Sequence, residues 1–292
     1  MRHAILGPGG VGGLIGSCLA RAGSSVTLVG RPGAVDSYPR KIHLESIFGN
    51  FSVPVEVAEV VPATDVLWIT VKATQLDAAL ESFPKGELAG AIVPLLNGID
   101  HVQSLRAKYG ASRVIPATIA VEAERVSPGY FVHRSPFAIL NMASQGREML
   151  GEPVSQLQQQ GFTCQFVEDE PTLLWRKLVF LAPLALVSTF TAKTTGEIFA
   201  NPEWWQLLQS AIRETCAVAL AENAKVDVEV VISTIRKLPG NMRSSMQKDV
   251  AQNKPPELDA IAGPILRGAE RHGIGVPVMS KLAAEIARRI SL

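Results

Sequence analysis

Ala4-Ile5-Leu6-Gly7-Pro8-Gly9-Gly10-Val11-Gly12-Gly13-Leu14-Ile15-Gly16-Ser17-Cys18-Leu19 begins with a short apolar run, stops abruptly at glycine, and resumes with apolar residues at helical spacing. Leu14, Ile15, Cys18, Leu19 and Ala22 share one helix face, so the segment reads strand, turn, helix. Gly23 stands where a helix C-cap glycine belongs, and Ser25 to Val29 reads as a second strand. The whole is a βαβ unit of about 30 residues, the size of a parallel pair with a right-handed crossover.

The turn itself carries a chemical expectation. In Gly7-Pro8-Gly9-Gly10-Val11-Gly12 the first glycine serves a tight turn, the second lets backbone approach a pyrophosphate, and the third lets helix pack on strand. A helix N-terminus beyond it supplies N–H groups and partial positive charge. This is the fingerprint of a Rossmann-type dinucleotide site, and Gly7 to Gly12 are its candidate residues. An acid for an NAD ribose is expected about 20 residues further on, at the end of the second strand. Gly30-Arg31 stands there instead. A guanidinium suits a 2′-phosphate, which favours NADPH; the alternative is a solvated surface arginine.

Strand and helix patterns continue to alternate. Val66 to Val71 and Ala91 to Leu96 read as buried strands, with a helix-like stretch from Gln75 to Phe83 between them, so a doubly wound parallel sheet is expected. From Val114 to Leu140, short runs broken by Ser127-Pro128-Gly129 and Pro136 predict antiparallel strands finishing that sheet. A helix near Glu152 to Gln160 and a strand near Cys164 to Val167 follow. Beyond Asp169 the chain reads as helices: Asn201-Pro202-Glu203 is a start signal, and Trp204, Leu208, Ala211, Ile212, Thr215 and Ala219 mark one face of a long helix. Further helices are expected over Leu258 to Arg271 and Val276 to Ile290. The expected organisation is α/β: a Rossmann-type doubly wound sheet over 1–167 and an all-helical domain for substrate and dimerisation over 168–292. The active cleft is expected between them.

Composition restricts the partners. With 28 basic and 27 acidic residues in 292, the formal charge is +1, which gives no field to hold nucleic acid or an anionic membrane. A small-molecule substrate is the favoured partner. Cys18, Cys164 and Cys216 are far apart, and the five histidines lack metal-ligand spacing, so a reducing cytoplasm and no metal are expected. The first six residues are too short for a signal peptide's apolar region, and Leu178 to Val187, interrupted by Pro183, falls short of the roughly 20 residues that span a bilayer. Trp204 and Trp205 could support a homodimer or simply belong to the core.

Two further loops follow parallel strands, where ligands of open α/β sheets bind. They are Val71-Lys72-Ala73-Thr74-Gln75 and Leu95-Leu96-Asn97-Gly98. Read singly, Lys72 is equally a surface lysine and Asn97-Gly98 equally a turn. With Trp175-Arg176-Lys177-Leu178, Ser244-Ser245-Met246-Gln247-Lys248-Asp249 and Glu257-Leu258-Asp259, they form an ordered set that resembles the ketopantoate reductase (2-dehydropantoate 2-reductase) family over nearly the whole chain.

That resemblance implies NADPH-dependent reduction of a 2-oxo acid, with Lys177 as the general acid that polarises the keto oxygen. It implies that Glu257 accepts hydrogen bonds from the substrate's hydroxyl or keto region and that Ser245 donates to its carboxylate. Lys72, Gln75 and Asn97 are placed at the nicotinamide ribose, with Lys72 and Asn97 also near substrate. Without the resemblance, Lys177 reads as a snorkelling lysine, Glu257 as a complement to a helix dipole and Ser245 as a cap. The chain also departs from the family pattern. Leu181 and Ala185 stand four and eight residues after Lys177, where the family commonly has asparagines; Lys254-Pro255-Pro256 and Ala262-Gly263 also differ from it. A site that loses polar contacts accepts different ligands, so a more apolar carbonyl substrate and an idle NADP(H)-binding protein stand as alternatives.

Overall fold

His3-Ala4-Ile5-Leu6 is buried on both faces, as a central parallel strand must be, and forms β1 (Arg2–Leu6). In the computed structural model, which describes residues 1–33, 35–36, 38–83 and 90–290, two units are distinguished. One comprises Met1–Leu96 and His101–Glu170, the other Asn97–Asp100 and Pro171–Leu292.

In the first unit the chain passes from β1 through α1 (Gly10–Arg21) to β2 (Ser25–Val29), then β3 (Lys41–Glu45), β4 (Phe51–Pro54), β5 (Glu56–Ala58) and β6 (Val66–Ile69). A 3-10 turn at Ala73–Gln75 leads into α2 (Leu76–Leu80), followed by β7 (Ala91–Pro94) and α3 (His101–Tyr109). The order β5-β2-β1-β6-β7, parallel throughout, places β1 in the middle. Ile5, Leu28 and Trp68 pack with Leu14, Ile15 and Leu19 on one face, while Ala4, Leu6, Ile69 and Ile92 pack with Leu76 and Leu105 on the other. Apolar cover on both faces is what makes the sheet doubly wound. Gly23 follows the α1 cap residue Ala22 at φ +91°, the left-handed position that ends the helix.

The segment 114–140 does not finish that sheet, and here the sequence reading is corrected. β8 (Ala117–Ala120) pairs with β11 (Ile139–Ala143), which pairs in turn with β12 (Thr163–Val167). β9 (Ala123–Ser127) and β10 (Tyr130–His133) form a hairpin that joins β3 and β4 in the order β4-β3-β10-β9. The link to β7 is a single bridge, Ile92 to Val114. Pro94 and Pro116 lack the N–H groups a ladder needs there, which favours turning away. Strands β3, β4 and β5 were not expected. Helix α4 (Arg147–Gln159) starts earlier than predicted and passes through Pro153, because Leu150, Val154 and Leu157 form a buried stripe that outweighs one lost hydrogen bond.

The second unit is helical: α5 (Glu170–Thr191), α6 (Thr195–Ala200), α7 (Pro202–Ala221), α8 (Val228–Arg236), α9 (Ser245–Ala251), α10 (Leu258–His272) and α11 (Pro277–Ile290). Side-chain caps fix several starts: Thr194 and Glu197 form a capping box, Asn201 accepts from Glu203 and Trp204, and Asp227 accepts from Glu229 and Val230. The apolar run around Pro183 is longer than the sequence reading allowed. Helix α5 continues for 22 residues and is long and apolar enough to cross a membrane, yet 72% of its most apolar window is buried inside the protein. Leu178, Ala182, Ala185 and Leu186 pack there against Leu208, Ile212, Met246 and Ile265. Trp204 and Trp205 lie partly buried against the same core, Trp205 edge-on to Phe199.

Candidate active site

Expected site residues fall into two groups, one in each unit. In the first, the chain leaves β1 through Gly7 at φ +86°, where a Cβ would also strike the Val71 side chain. Thr70 Oγ1 holds this turn by donating to the Gly7 carbonyl at 2.8 Å and the Leu6 carbonyl at 3.1 Å. Gly10 and Gly12 serve packing, since a methyl would meet the Ala123 backbone at one and Thr70 and Ile5 at the other. Gly9 differs. It caps α1 without a side-chain bond, and a methyl there meets nothing nearer than the Gly7 oxygen at 3.9 Å. Packing therefore does not require glycine at this position, whereas a ligand approaching the first N–H groups of α1 would. Pro8 and Val11 complete the turn, with Arg125 donating to the Pro8 carbonyl at 3.4 Å. This bare turn at a helix N-terminus fits a dinucleotide pyrophosphate.

Arg31 is exposed directly beyond β2, in a loop tied down by Gly30 N–H to the Ala58 carbonyl at 2.9 Å. An acid also enters this loop: Gly33 N–H donates to Glu59 Oε1 at 2.6 Å. Lys72, half-buried, leads into the 3-10 turn after β6, and Gln75 is exposed within it. Sequence reading missed Thr70, Glu59 and Arg125. Thr70 falls within the expected strand run from Val66 to Val71 and could have been suspected from position, but nothing local marked Glu59, which follows the unexpected β5, or Arg125.

The second group brings three expected residues together. Lys177 sits in the second turn of α5, half-buried, and desolvation lowers its pKa from 10.5 to about 8 against the opposing charge of Glu257. Glu257 is buried at the N-cap position of α10, without capping it through its side chain. Its Oε2 accepts from Asn97 Nδ2 at 2.9 Å. Asn97 reaches that helix start because Gly98, at φ +82°, comes so close to the Ala260 carbonyl that no Cβ would fit. Arg267 completes the support by donating to Asp100 at 2.5 Å and to Asp259 at 2.8 Å, clamping the Asn97–Asp100 segment to α10. The cluster has an amine whose proton is unusually labile and a buried carboxylate to hold it, which suits proton transfer to a developing alkoxide.

Ser245 is exposed at the first position of α9. The cap is the buried neighbour Ser244, which accepts from Gln247 N–H and lies 2.8 Å from Ser188 Oγ. Ser245 therefore does not cap the helix through its side chain. Leu181 is half-buried and Ala185 fully buried along α5. Among the described residues no three of His, Cys, Asp and Glu converge in a way that could hold a metal ion.

The family description "Ketopantoate reductase PanE/ApbA" matches residues 3–143, and its C-terminal counterpart matches residues 172–289. The chain is 30% identical over 288 residues to a 2-dehydropantoate 2-reductase of Mycobacterium tuberculosis, covering 97% of this chain and 96% of that one. A crystal structure of a PanE/ApbA family ketopantoate reductase from Ralstonia eutropha JMP134 superposes with a TM-score of 0.88 at 25% identity, covering 100% and 99% of the two chains. A D-mandelate dehydrogenase solved with NADH and anilino(oxo)acetate shares the fold, with a TM-score of 0.86 at 20% identity and coverage of 100% and 99%. Two family matches that between them take in both the glycine turn and the lysine helix leave one assignment: this chain is an oxidoreductase of the ketopantoate reductase family.

Proposed function

We propose that this protein reduces a 2-oxo acid, in the first instance 2-dehydropantoate, to the 2-hydroxy acid with NADPH. When bound, the cofactor supplies hydride to the keto carbon. The Lys177 ammonium polarises the keto oxygen and delivers the proton that turns the new alkoxide into a hydroxyl. Glu257 holds that ammonium and accepts from the substrate's hydroxyl region. Asn97 fixes the carboxylate, and Ser245 donates to the substrate carboxylate. The turn from Gly7 through Pro8, Gly9, Gly10 and Val11 to Gly12 holds the pyrophosphate, while Lys72, Gln75 and Asn97 serve the nicotinamide ribose. Arg31 pairs with the 2′-phosphate, the reason to prefer NADPH over NADH. The observation that carries the reading is the Lys177, Glu257 and Asn97 cluster, in which burial makes an amine acidic enough to donate near neutral pH. We place the protein in the cytoplasm, where three buried free thiols stay reduced.

A second reading keeps the cofactor and Lys177 but assigns a 2-oxo acid with an apolar substituent. It is favoured by Leu181 and Ala185, which offer no hydrogen bond along the lysine helix. The aromatic 2-oxo acid analogue bound to the structurally similar dehydrogenase has that chemistry. Rates of NADPH oxidation with 2-dehydropantoate, a branched alkyl 2-oxo acid and an aryl 2-oxo acid separate the two. No stimulation by any of them removes both and leaves an idle cofactor-binding protein.

A further inference from the structure

Gly263 and Pro264 stand side by side, buried, in the first half of α10, although these two residue types weaken a helix interior most. What each does is visible toward Asn97–Asp100, the segment that packs with this unit. Ala260, Gly263 and Arg267 stand at i, i+3 and i+7 and so share one helix face. Pro264 has no N–H, which leaves the Ala260 carbonyl, four residues earlier, without its helical donor. Gly98 takes up that oxygen. At φ +82° one of its Cα–H bonds points at the Ala260 oxygen, so near that a methyl in the same direction would strike it. Gly263 clears a path for a side chain: a methyl there would strike Arg267 Nη2 and Asp259 Oδ1. Glycine therefore lets the guanidinium lie back along the helix.

Laid along that face, Arg267 donates through Nε and Nη2 to Asp100 Oδ2 at 3.1 and 2.5 Å, and through Nη1 to Asp259 Oδ1 at 2.8 Å. The segment is thus gripped at Gly98 and at Asp100. Asn97, directly before the first grip, has its Nδ2 2.9 Å from Glu257 Oε2. Ion pairs as exposed as those of Arg267 stabilise a fold little, and neither glycine nor proline strengthens the helix. Stability does not account for this combination. Placement does, because every one of these features bears on where Asn97 sits relative to Glu257.

We propose that Gly263, Pro264 and Arg267 are positioning residues for the Lys177, Glu257 and Asn97 cluster, acting through Gly98 and Asp100 to keep the Asn97 amide on the Glu257 carboxylate. Without the fixed amide, Glu257 turns aside or takes up a proton. Either change reduces the negative charge that bears on Lys177, and the buried ammonium gives up its proton more readily. The consequence for catalysis rests on the reductase reading above. The placement of the charge does not.

The test follows the titration of Lys177 by NMR in the full chain carrying 13C at the lysine Cε, without cofactor or substrate, the resonance being identified by its loss in Lys177→Met. Beside it runs the pH dependence of NADPH oxidation with the 2-oxo acid found active. Pro264→Ala returns a donor to the Ala260 carbonyl, so the thermal unfolding midpoint is unchanged or raised. The Lys177 titration and the break in the rate profile nevertheless both move down by about half a pH unit, and kcat/KM at pH 9.5 falls about threefold. Arg267→Met, a change at a half-exposed side chain, gives the same shifts and keeps the test valid should Pro264→Ala fold poorly. Arg267→Lys recovers part of them, since an ammonium pairs with Asp100 but does not span both carboxylates. Adding Asp100→Ala to Arg267→Met changes nothing further, because both act through one contact. A Lys177 titration unmoved in Pro264→Ala and Arg267→Met overturns the proposal, whatever happens to turnover. Titration shifts in a chain that reduces no 2-oxo acid uphold the positioning and remove the reductase reading.

Discussion

If the Lys177 ammonium is the proton donor, its acidity must appear in the rate. With a folded pKa of about 8, kcat/KM for reduction is level below that pH and falls about tenfold for each pH unit above it. At pH 9.5 about one thirtieth of the protein still carries the proton, whereas a lysine at 10.5 would keep about nine tenths of it. The two cases differ nearly thirtyfold in rate. The assay is the initial rate of NADPH oxidation from pH 6.5 to 10 at low, fixed concentrations of the substrate found active. Glu257→Gln removes the charge that holds the amine's pKa up, so the break in the profile moves below 8. Stability runs with it. Between about 8 and 10.5 the unfolded chain binds the Lys177 proton and the folded chain does not, so this residue's contribution to stability rises with pH across that window. Below 8 both states carry the proton and the cost of burying the charge is fully present. A rate profile level to pH 10, or a Lys177→Ala variant keeping more than about a tenth of wild-type turnover, refutes the assignment.

Gly9→Ala is expected to change stability by less than about 1 kcal/mol, because its methyl meets nothing closer than 3.9 Å, while cofactor affinity measured by fluorescence titration falls about tenfold or more. Gly10→Ala drives a methyl into the Ala123 backbone and costs about 2–3 kcal/mol or more in thermal unfolding, whether or not cofactor is bound. Arg31→Ala lowers affinity for NADPH about tenfold with little effect on NADH; equal losses for both would remove the 2′-phosphate role. Asn97→Ala strips a donor from buried Glu257 and costs about 1–3 kcal/mol of stability by denaturant titration, with a shift in the break of the pH–rate profile.

Local sequence determined the first βαβ unit, because apolar runs, glycine breaks and helical spacing all act over a few residues and agree at β1, α1 and β2. The same rules located the buried strands β6 and β7 and the capped start of α7. Lys177, Glu257 and Asn97 became candidates through the ordered set of segments that resembles the ketopantoate reductase family, not through local rules. What local rules could not determine was partner choice among strands. Residues 114–140 carry strand-forming patterns, but which sheet they join depends on prolines at the β7 edge and on strands β3 and β4, some 70 to 100 residues away. Pro183 reads as an interruption of the apolar run, yet α5 continues through it because a long buried stripe outweighs one missing N–H. Tertiary structure alone brings Asn97 to Glu257, 160 positions further on. The left-handed turn at Gly98 and the Arg267 clamp fix that meeting, and burial then gives Lys177 its acidity. Such acidity belongs to a desolvated environment rather than to a residue type, so no one-dimensional pattern contains it.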